Sequence, residues 1–522
     1  MKKTPAPVPA EALGAGLRRF LYLTAVITGA AVMIVEILGA KMLAPYVGTS
    51  HFVWTAQIAV TLVALAAGYY AGGRMADRSP TLDRLYYCIL AAAVYLSLTV
   101  KVVEPVAYAC LRFDLAIGSL LASLFLYFMP LALLAVTGPY LVRVLAVTVS
   151  DVGGVAGRLT AVGTLGSFGG TVLIGYVLIP LLSNSTTMFL TAGLLLAVSA
   201  GYFAIVKRKP RALATVAAAA LVAGALGVGG SRHHALGRDG EIKEVYFRNS
   251  NFGQLQVLET KNGSRRFYLN DYLTQDTYDP VEKKSTSMFT YLLHGLARAY
   301  TPRLENALCI GLGVGIVPME FLNEGVNVEV VEINRAAPVM AARYFDCEPD
   351  RLHVVIGDGR EFVNATTHRY DTIILDAFLG DSSPSHLMTH EAFAAMQRIL
   401  RPNGTLVINS FGEFDGGRDF FMASLEKTMK SVFRSVRIHA AGNGNVFFVG
   451  SDQPDLKLLN SPAPESIHSY CRGLTREAFE GIRLTNPKHG MILTDNFNPV
   501  DFYDAGNREE FRRRLALSMR DL

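Results

Sequence analysis

The chain has 522 residues, 51% hydrophobic and only 18% charged, with a net charge of +5 and a mean hydropathy of +0.30. That length predicts more than one domain, and that apolar excess is too large for an ordinary soluble protein of the size. The basic residues form no stripe with interleaved aromatics, which speaks against a nucleic-acid partner, and the five cysteines (Cys88, Cys110, Cys309, Cys347, Cys471) are widely spaced without a CxxC pair, implying neither a disulfide framework nor a zinc site.

Nothing at the amino terminus reads as a cleavable signal: Lys2–Lys3 and Arg18–Arg19 lead into a long span with no small-residue cleavage site. Seven apolar stretches follow, near 20–40, 52–72, 85–107, 115–137, 159–180, 186–206 and 212–230. At about 1.5 Å per residue each can cross a hydrocarbon core of about 30 Å, so a lipid bilayer is the first expected partner. The seventh, rich in Ala and Gly, is the weakest. Basic residues gather before the first span (Arg18, Arg19), between the second and third (Arg74, Arg78, Arg84), between the fourth and fifth (Arg143, Arg158) and between the sixth and seventh (Lys207, Arg208, Lys209, Arg211). This bias predicts a cytoplasmic amino terminus.

Glu36 lies inside the first span, in MIVEILGAKMLAPYVG, where a carboxylate needs a partner or a cavity. Two readings stand, a buried hydrogen bond within the bundle and a substrate or proton site. GYYAGGRMADR (68–78) resembles the loop after the second span of major-facilitator transporters, with tight helix packing and positive-inside charge the preferred reading.

From about residue 242 the pattern changes to period-two alternation: FGQLQVLET, a turn at Asn262–Gly263, then RRFYLN. A helix near 284–300, the strand ALCIGLG, a helix near 315–324 and the strand VNVEVVEIN come next. The series continues with a helix near 335–345, LHVVIGDG, YDTIILDAF, a helix near 389–400, GTLVINSF, a helix near 418–432 and NVFFVG. This alternation predicts an α/β Rossmann-like domain with a mostly parallel, doubly wound sheet. The expected organisation is a multi-pass α-helical membrane domain of about seven helices over 1–230, a small β-hairpin subdomain over 242–290 and a Rossmann-like domain over 291–522.

Ligands of such sheets bind at the carboxyl ends of the strands. The polar features fall there: Gly311, Gly313 and Gly315 after the first strand, Glu332 ending the second, Asp358 with Gly359 after the third and Asp376 ending the fourth. The glycines let backbone approach a ligand, Glu332 suits the two hydroxyls of a ribose, Asp358 suits an exocyclic amine or caps the next helix, and Asp376 reaches the atom being transferred. The third glycine of a dinucleotide GxGxxG is missing, Ile316 or Pro318 standing there. With the extra acid at Asp358, an adenosyl sulfonium is preferred to NAD.

Gln275 in YLTQDT, GLGVG, VVEIN, IGDGREF and ILDAF occur in the order of the spermidine synthase (polyamine aminopropyltransferase) fold, over roughly 242–450. Together with the spans, LDAFLGDSSPSHLMTHEAF and LTDNFNPVDFY, the chain resembles the membrane-fused spermidine synthase-like proteins. The resemblance implies a class I methyltransferase-like fold and S-adenosylmethionine or its decarboxylated form as cosubstrate, with no metal required. It also implies that Gln275 and the glycine loop hold the donor's arm, Glu332 the ribose and Asp358 the adenine, with Asp376 as the catalytic carboxylate. Relatives form dimers, so a homodimer is among the implied arrangements. Four departures weigh against a diamine acceptor: Val314 where the family has an acid in the glycine loop, Thr286, Ser287 and Met288 in place of Tyr-His-Glu, Leu379 in place of a second acid with Asp381 two residues on, and Gly253 in place of glutamine.

Four functions remain open: alkyl transfer releasing 5'-methylthioadenosine, intramolecular cleavage of the donor to a lactone or small ring plus methylthioadenosine, methyl transfer, and a nucleoside-sensing transporter. His386 is read as an acceptor-pocket or loop residue, Asp495 as a closing or capping residue, and Tyr272 and Tyr291 as pocket walls. A cytoplasmic cosubstrate predicts a cytoplasmic soluble half in a bacterial-type cell membrane. Seven crossings from a cytoplasmic amino terminus predict the opposite face, a conflict that implies either that the weak seventh segment does not span or that the topology is unusual.

Overall fold

The computed structural model describes residues 13–48, 51–146, 148–207, 210–230, 242–250, 252–271, 273–378, 384–414, 418–442, 444–460, 464–500, 507 and 510. It divides into two compact units, Met1–His234 and Ala235–Leu522.

The first unit contains seven helices long and apolar enough to cross a membrane: α1 (Ala15–Val47), α2 (Phe52–Arg78), α3 (Leu82–Cys110), α4 (Leu115–Leu145), α5 (Val149–Leu181), α6 (Asn184–Lys207) and α7 (Pro210–Gly227). Small residues set how closely they pack. A Cβ on Gly166 or Gly170 of α5 would lie 2.2 Å from the Val26 carbonyl oxygen or 2.6 Å from that of Ala30, so α5 lies directly on the α1 backbone. In the 68–78 segment, a Cβ on Gly68 would lie 2.2 Å from the Ala132 carbonyl oxygen and one on Gly72 2.9 Å from Val136 Cα, which supports the packing reading. Glu36 is half-buried on α1, near Thr61 of α2, whose hydroxyl donates to the Gln57 carbonyl at 2.9 Å.

The second unit opens with an antiparallel sheet in the order β1 (Ile242–Ser250), β2 (Gly253–Thr260), β3 (Arg266–Asn270), β4 (Leu273–Asp279) and β5 (Lys284–Ser285). The helix expected from 284 begins at Met288 instead, as α8 (Met288–Tyr300), because Lys284 and Ser285 pair with Asp279 and Tyr278 of β4.

The α/β part alternates β6 (Asn306–Ile310), α9 (Ile316–Asn323), β7 (Asn327–Glu332), α10 (Ala336–Tyr344), β8 (His353–Ile356), α11 (Gly359–Ala365), β9 (Tyr370–Leu375), α12 (His390–Ile399), β10 (Leu400–Phe411) and α13 (Phe420–Lys430). It closes with β11 (Ser435–Ala440), β12 (Asn445–Ser451), α14 (Arg472–Glu480) and β13 (Ile482–Arg483). The sheet is mixed, in the order β13-β11-β12-β10-β9-β6-β7-β8. Pairings from β10 through β8 are parallel, and those joining β12, β11 and β13 are antiparallel.

Strand alternation divides the core into two layers. Cys309 and Ile374 face a cluster with Leu292, Leu296, Phe321 and Phe447. Their neighbours Leu308, Ile310, Ile373 and Leu375 face the other, with Phe393, Ile408 and Phe448. β6 runs between β7 and β9, so the winding direction reverses there and opens a crevice beyond the carboxyl ends of these strands.

Candidate active site

The crevice is a cavity of about 450 Å³. Gln275, Gly311, Gly313, Gly315, Glu332, Asp358, Gly359, Asp376 and His386 all line it, so side chains spread over more than a hundred residues meet in one place. The volume is within the range of small-molecule sites, about 300–1,000 Å³.

The turn after β6 is shaped by its contact with β9. Gly311 has φ +100°, and a Cβ there would lie 2.2 Å from the Asp376 carbonyl oxygen, so only glycine fits. The Asp376 N–H donates to the Ile310 carbonyl at 3.0 Å, which ties the catalytic candidate to the end of β6. At Gly313, φ +55°, a Cβ would meet nothing within 4 Å, leaving that backbone open for a ligand. Gly315 (φ +86°) leads into α9, and a Cβ on Gly359 would press on Ile310.

Glu332 bridges two loops. Its Oε2 accepts from the Leu312 N–H at 3.0 Å and its Oε1 from the Asn334 N–H at 2.7 Å, leaving other lone pairs for hydroxyl donors. Burial raises its pKa, opposed by these backbone donors. Asp358 caps α11, Oδ1 accepting from the Arg360 and Glu361 N–H groups at 2.8 and 3.0 Å. Its Oδ2 faces His386 Nε2 at 3.2 Å, so capping and cavity lining are combined in one residue.

Asp376 accepts from Asn409 Nδ2 at 2.9 Å, and Asn409 Oδ1 accepts from Asn445 Nδ2 at 3.2 Å. Burial pushes the Asp376 carboxyl up to about 6, against the lowering effect of Asn409. Sequence reasoning missed this pair of asparagines. The available signal was an amide inside the apolar strand GTLVINSF, which has to find a partner when buried.

It also missed Asp276, the neighbour of Gln275, which is 5% exposed and lines the cavity. Its Oδ1 accepts from the Thr277 N–H at 2.7 Å and the Ser285 hydroxyl at 3.2 Å. Burial pushes its carboxyl up to about 7; Ser287 and Thr277 donors oppose the rise and the charge of Asp376 adds to it. The described lining thus holds four carboxylates, Asp276, Glu332, Asp358 and Asp376, and no lysine or arginine.

Several expected residues lie elsewhere. Asp495 is not among the lining residues: it pairs with Arg360 at 2.7 and 3.2 Å and accepts from the Thr389 hydroxyl at 2.7 Å, fastening its segment to α11 and α12. The Tyr291 hydroxyl donates to the Ser285 carbonyl and does not line the cavity. Asp381, Leu379 and Tyr272 lie outside the described residues. Val314 is buried in an apolar cluster with Leu255, Val257 and Tyr268.

Asp279, Glu282 and His468 come together beside the cavity segment containing Tyr470 and Cys471. His468 Nδ1 accepts the Tyr470 N–H at 3.1 Å, which puts the ring proton on Nε2, facing Asp279 at 3.5 Å and Glu282 at 3.7 Å.

Residues 288–442 match the spermine/spermidine synthase domain. A polyamine aminopropyltransferase of Vibrio vulnificus (strain CMCP6) is 35% identical over 242 residues, covering 44% of this chain and 79% of that protein. The N-terminal histidine N-methyltransferase of Emericella nidulans is 32% identical over 151 residues, 28% of this chain and only 26% of that protein. Among solved structures, spermidine synthase from Thermotoga maritima is similar at 19% identity and a TM-score of 0.36, covering 45% of this chain and 84% of that one.

Proposed function

The chain belongs to the polyamine aminopropyltransferase (spermine/spermidine synthase) family, and from that premise we propose that its second unit moves an aminopropyl-type alkyl arm from an adenosyl sulfonium to a nucleophile, releasing 5'-methylthioadenosine. The observation that carries this reading is Asp376, buried at the end of β9 against the glycine turn, in a cavity whose described lining holds acids and no lysine or arginine.

The cavity suits such a donor. Glu332 has acceptor capacity for ribose hydroxyls, Asp358 and His386 are at hand for the base, and the open backbone at Gly313 allows close approach. In the transfer, the nucleophile's lone pair forms a bond to the carbon attached to sulfur, the carbon–sulfur pair stays on sulfur, and the leaving thioether is neutral. Asp376, ionised above about pH 6, takes the nucleophile's proton. Among the described residues the lining has no lysine or arginine, which favours the decarboxylated donor over intact S-adenosylmethionine, whose carboxylate would meet acids.

The likeness to a histidine methyltransferase supports methyl transfer as the second reading. The test incubates the purified chain with S-adenosylmethionine or its decarboxylated form, with and without an amine, and separates the nucleosides by chromatography and mass, with Asp376→Asn as control. Methylthioadenosine formed only with amine is the expected result. Methylthioadenosine without amine would establish donor cleavage instead, and adenosylhomocysteine would establish methyl transfer. The seven apolar helices support a multi-pass membrane unit. Reporter fusions after residue 230 test the proposed cytoplasmic placement of the second unit.

A further inference from the structure

We propose that Asp276 is an ammonium-binding residue of the cavity, which together with Asp376 takes one primary alkylammonium group of the reacting pair. The inference rests on the transfer reading above and assigns a role to an acid that matches none of the family positions named earlier.

Asp276 enters from β4 of the five-stranded sheet and Asp376 from β9 of the eight-stranded one, and both line the same cavity. Among the described residues neither forms an ion pair with a protein cation. Asp276 receives the Thr277 N–H and the Ser285 hydroxyl, and Asp376 receives the Asn409 amide. Neutral donors compensate a buried carboxylate only in part, so two such groups within electrostatic reach of each other leave an unmet demand for positive charge. Burial raises the two carboxyls to about 7 and about 6, so below about pH 7 the ligand-free pair retains a proton.

A primary ammonium satisfies this arrangement. It carries three donors on one charge, and its binding expels the retained proton. Of the other two acids in the described lining, Glu332 and Asp358 each accept two backbone N–H groups and face the nucleoside in this reading, while Val314 is apolar and buried and Thr286, Ser287 and Met288 are uncharged. One cation-binding pair therefore fits one ammonium, on the donor's arm or on the acceptor, rather than an extended dication.

The test measures binding to the full chain in lipid nanodiscs by calorimetry, with three probes. Methylthioadenosine has no ammonium, decarboxylated S-adenosylmethionine carries one on the donor's arm, and butylamine added after saturation with methylthioadenosine represents an acceptor. Asp276→Asn is expected to weaken one ammonium probe by at least about tenfold while methylthioadenosine stays within about twofold, and Asp276→Glu to restore most of the loss. The probe affected identifies whether the ammonium belongs to donor or acceptor. Equal weakening of all three probes, or of none, overturns the proposal.

The wild-type chain supplies a readout that does not depend on the variant folding. At about pH 6.5, binding of the ammonium probe releases a proton, seen as a binding heat that changes with the buffer, whereas methylthioadenosine gives no such change. A heat independent of buffer overturns the proposal. If ammonium selectivity is found but no methylthioadenosine is ever formed, the transfer reading fails and the ammonium site stands; turnover with Asp276→Asn unaltered gives the reverse.

Discussion

A polar cluster in the helical unit and the acids of the cavity in the second unit are buried under opposite rules. In the helical unit, Gln57 on α2 and Ser119, Ser123 and Tyr127 on α4 are fully enclosed, with polar atoms that meet no partner among the described residues. Gln57 and Tyr127 crowd the same spot on α1, where a Cβ on Gly39 would lie 2.9 Å from Gln57 Nε2 and 3.0 Å from a Tyr127 ring carbon. In the second unit the acids of the cavity are each held: Glu332 by two backbone N–H groups, Asp358 by its helix, Asp376 by Asn409. A group that performs chemistry must be oriented before the substrate arrives, and hydrogen bonds provide that orientation. A group that fills a helix interface needs only to fit, though enclosing it without a partner is costly.

Four substitutions sharpen or break this contrast. Asp376→Asn should lower methylthioadenosine formation by about a hundredfold or more while leaving methylthioadenosine binding in place, as a loss confined to the proton-accepting group requires. A parallel loss of nucleoside binding would show that Asp376 positions the donor instead.

Next in size is Gly311→Ala. The added Cβ collides with the Asp376 backbone and the residue is held at positive φ, so about 1–3 kcal/mol of stability should be lost along with activity, read by thermal unfolding and product assay.

Asn409→Leu should cost less, about tenfold in kcat, and should move the pH profile. In the wild type, kcat/KM should rise as pH passes through about 6, because Asp376 must be ionised. Without the Asn409 hydrogen bond the carboxyl pKa rises further, so this limb shifts to higher pH, which loss of packing alone would not produce. Stability runs the other way. A carboxyl whose folded pKa is raised from 3.8 to about 6 contributes stability that is fully present below 3.8 and lost as pH rises through about 6, so the ligand-free second unit should melt earlier as pH climbs across that window.

The smallest effect is expected in the helical unit. Gln57→Leu removes a buried amide without leaving a partner behind, so stability should change by about 1 kcal/mol or rise, with turnover unchanged. A tenfold fall in turnover would break the contrast and make this polar face part of the reaction.

The glycine turn and three of the cavity acids were legible because each belongs to a contiguous strand-turn-helix segment, where local sequence specifies local backbone. The seven apolar helices were legible for a similar reason, since length and composition alone make a segment able to cross a bilayer. Less local features were not. The late start of α8 depends on β5 pairing with β4, and the antiparallel end of the large sheet on pairings between distant strands. Asp276 reads in YLTQDT as a strand polar residue, and nothing within its own segment indicates that it will share a cavity with Asp376, a hundred positions later.

By itself, then, the sequence determined two units, an apolar helical one and an α/β one, and the strand ends that carry Glu332, Asp358 and Asp376, because periodicity and turn chemistry act over a few residues. Only the tertiary structure decided that Asn409 holds Asp376, that Asp495 ties Arg360 and is not among the described lining residues, and that Asp276 completes an acid-lined cavity whose described lining has no lysine or arginine. Those relations depend on burial and on partners brought together by sheet order, and a carboxylate's charge state and chemistry are set by that surrounding rather than by its neighbours in the chain.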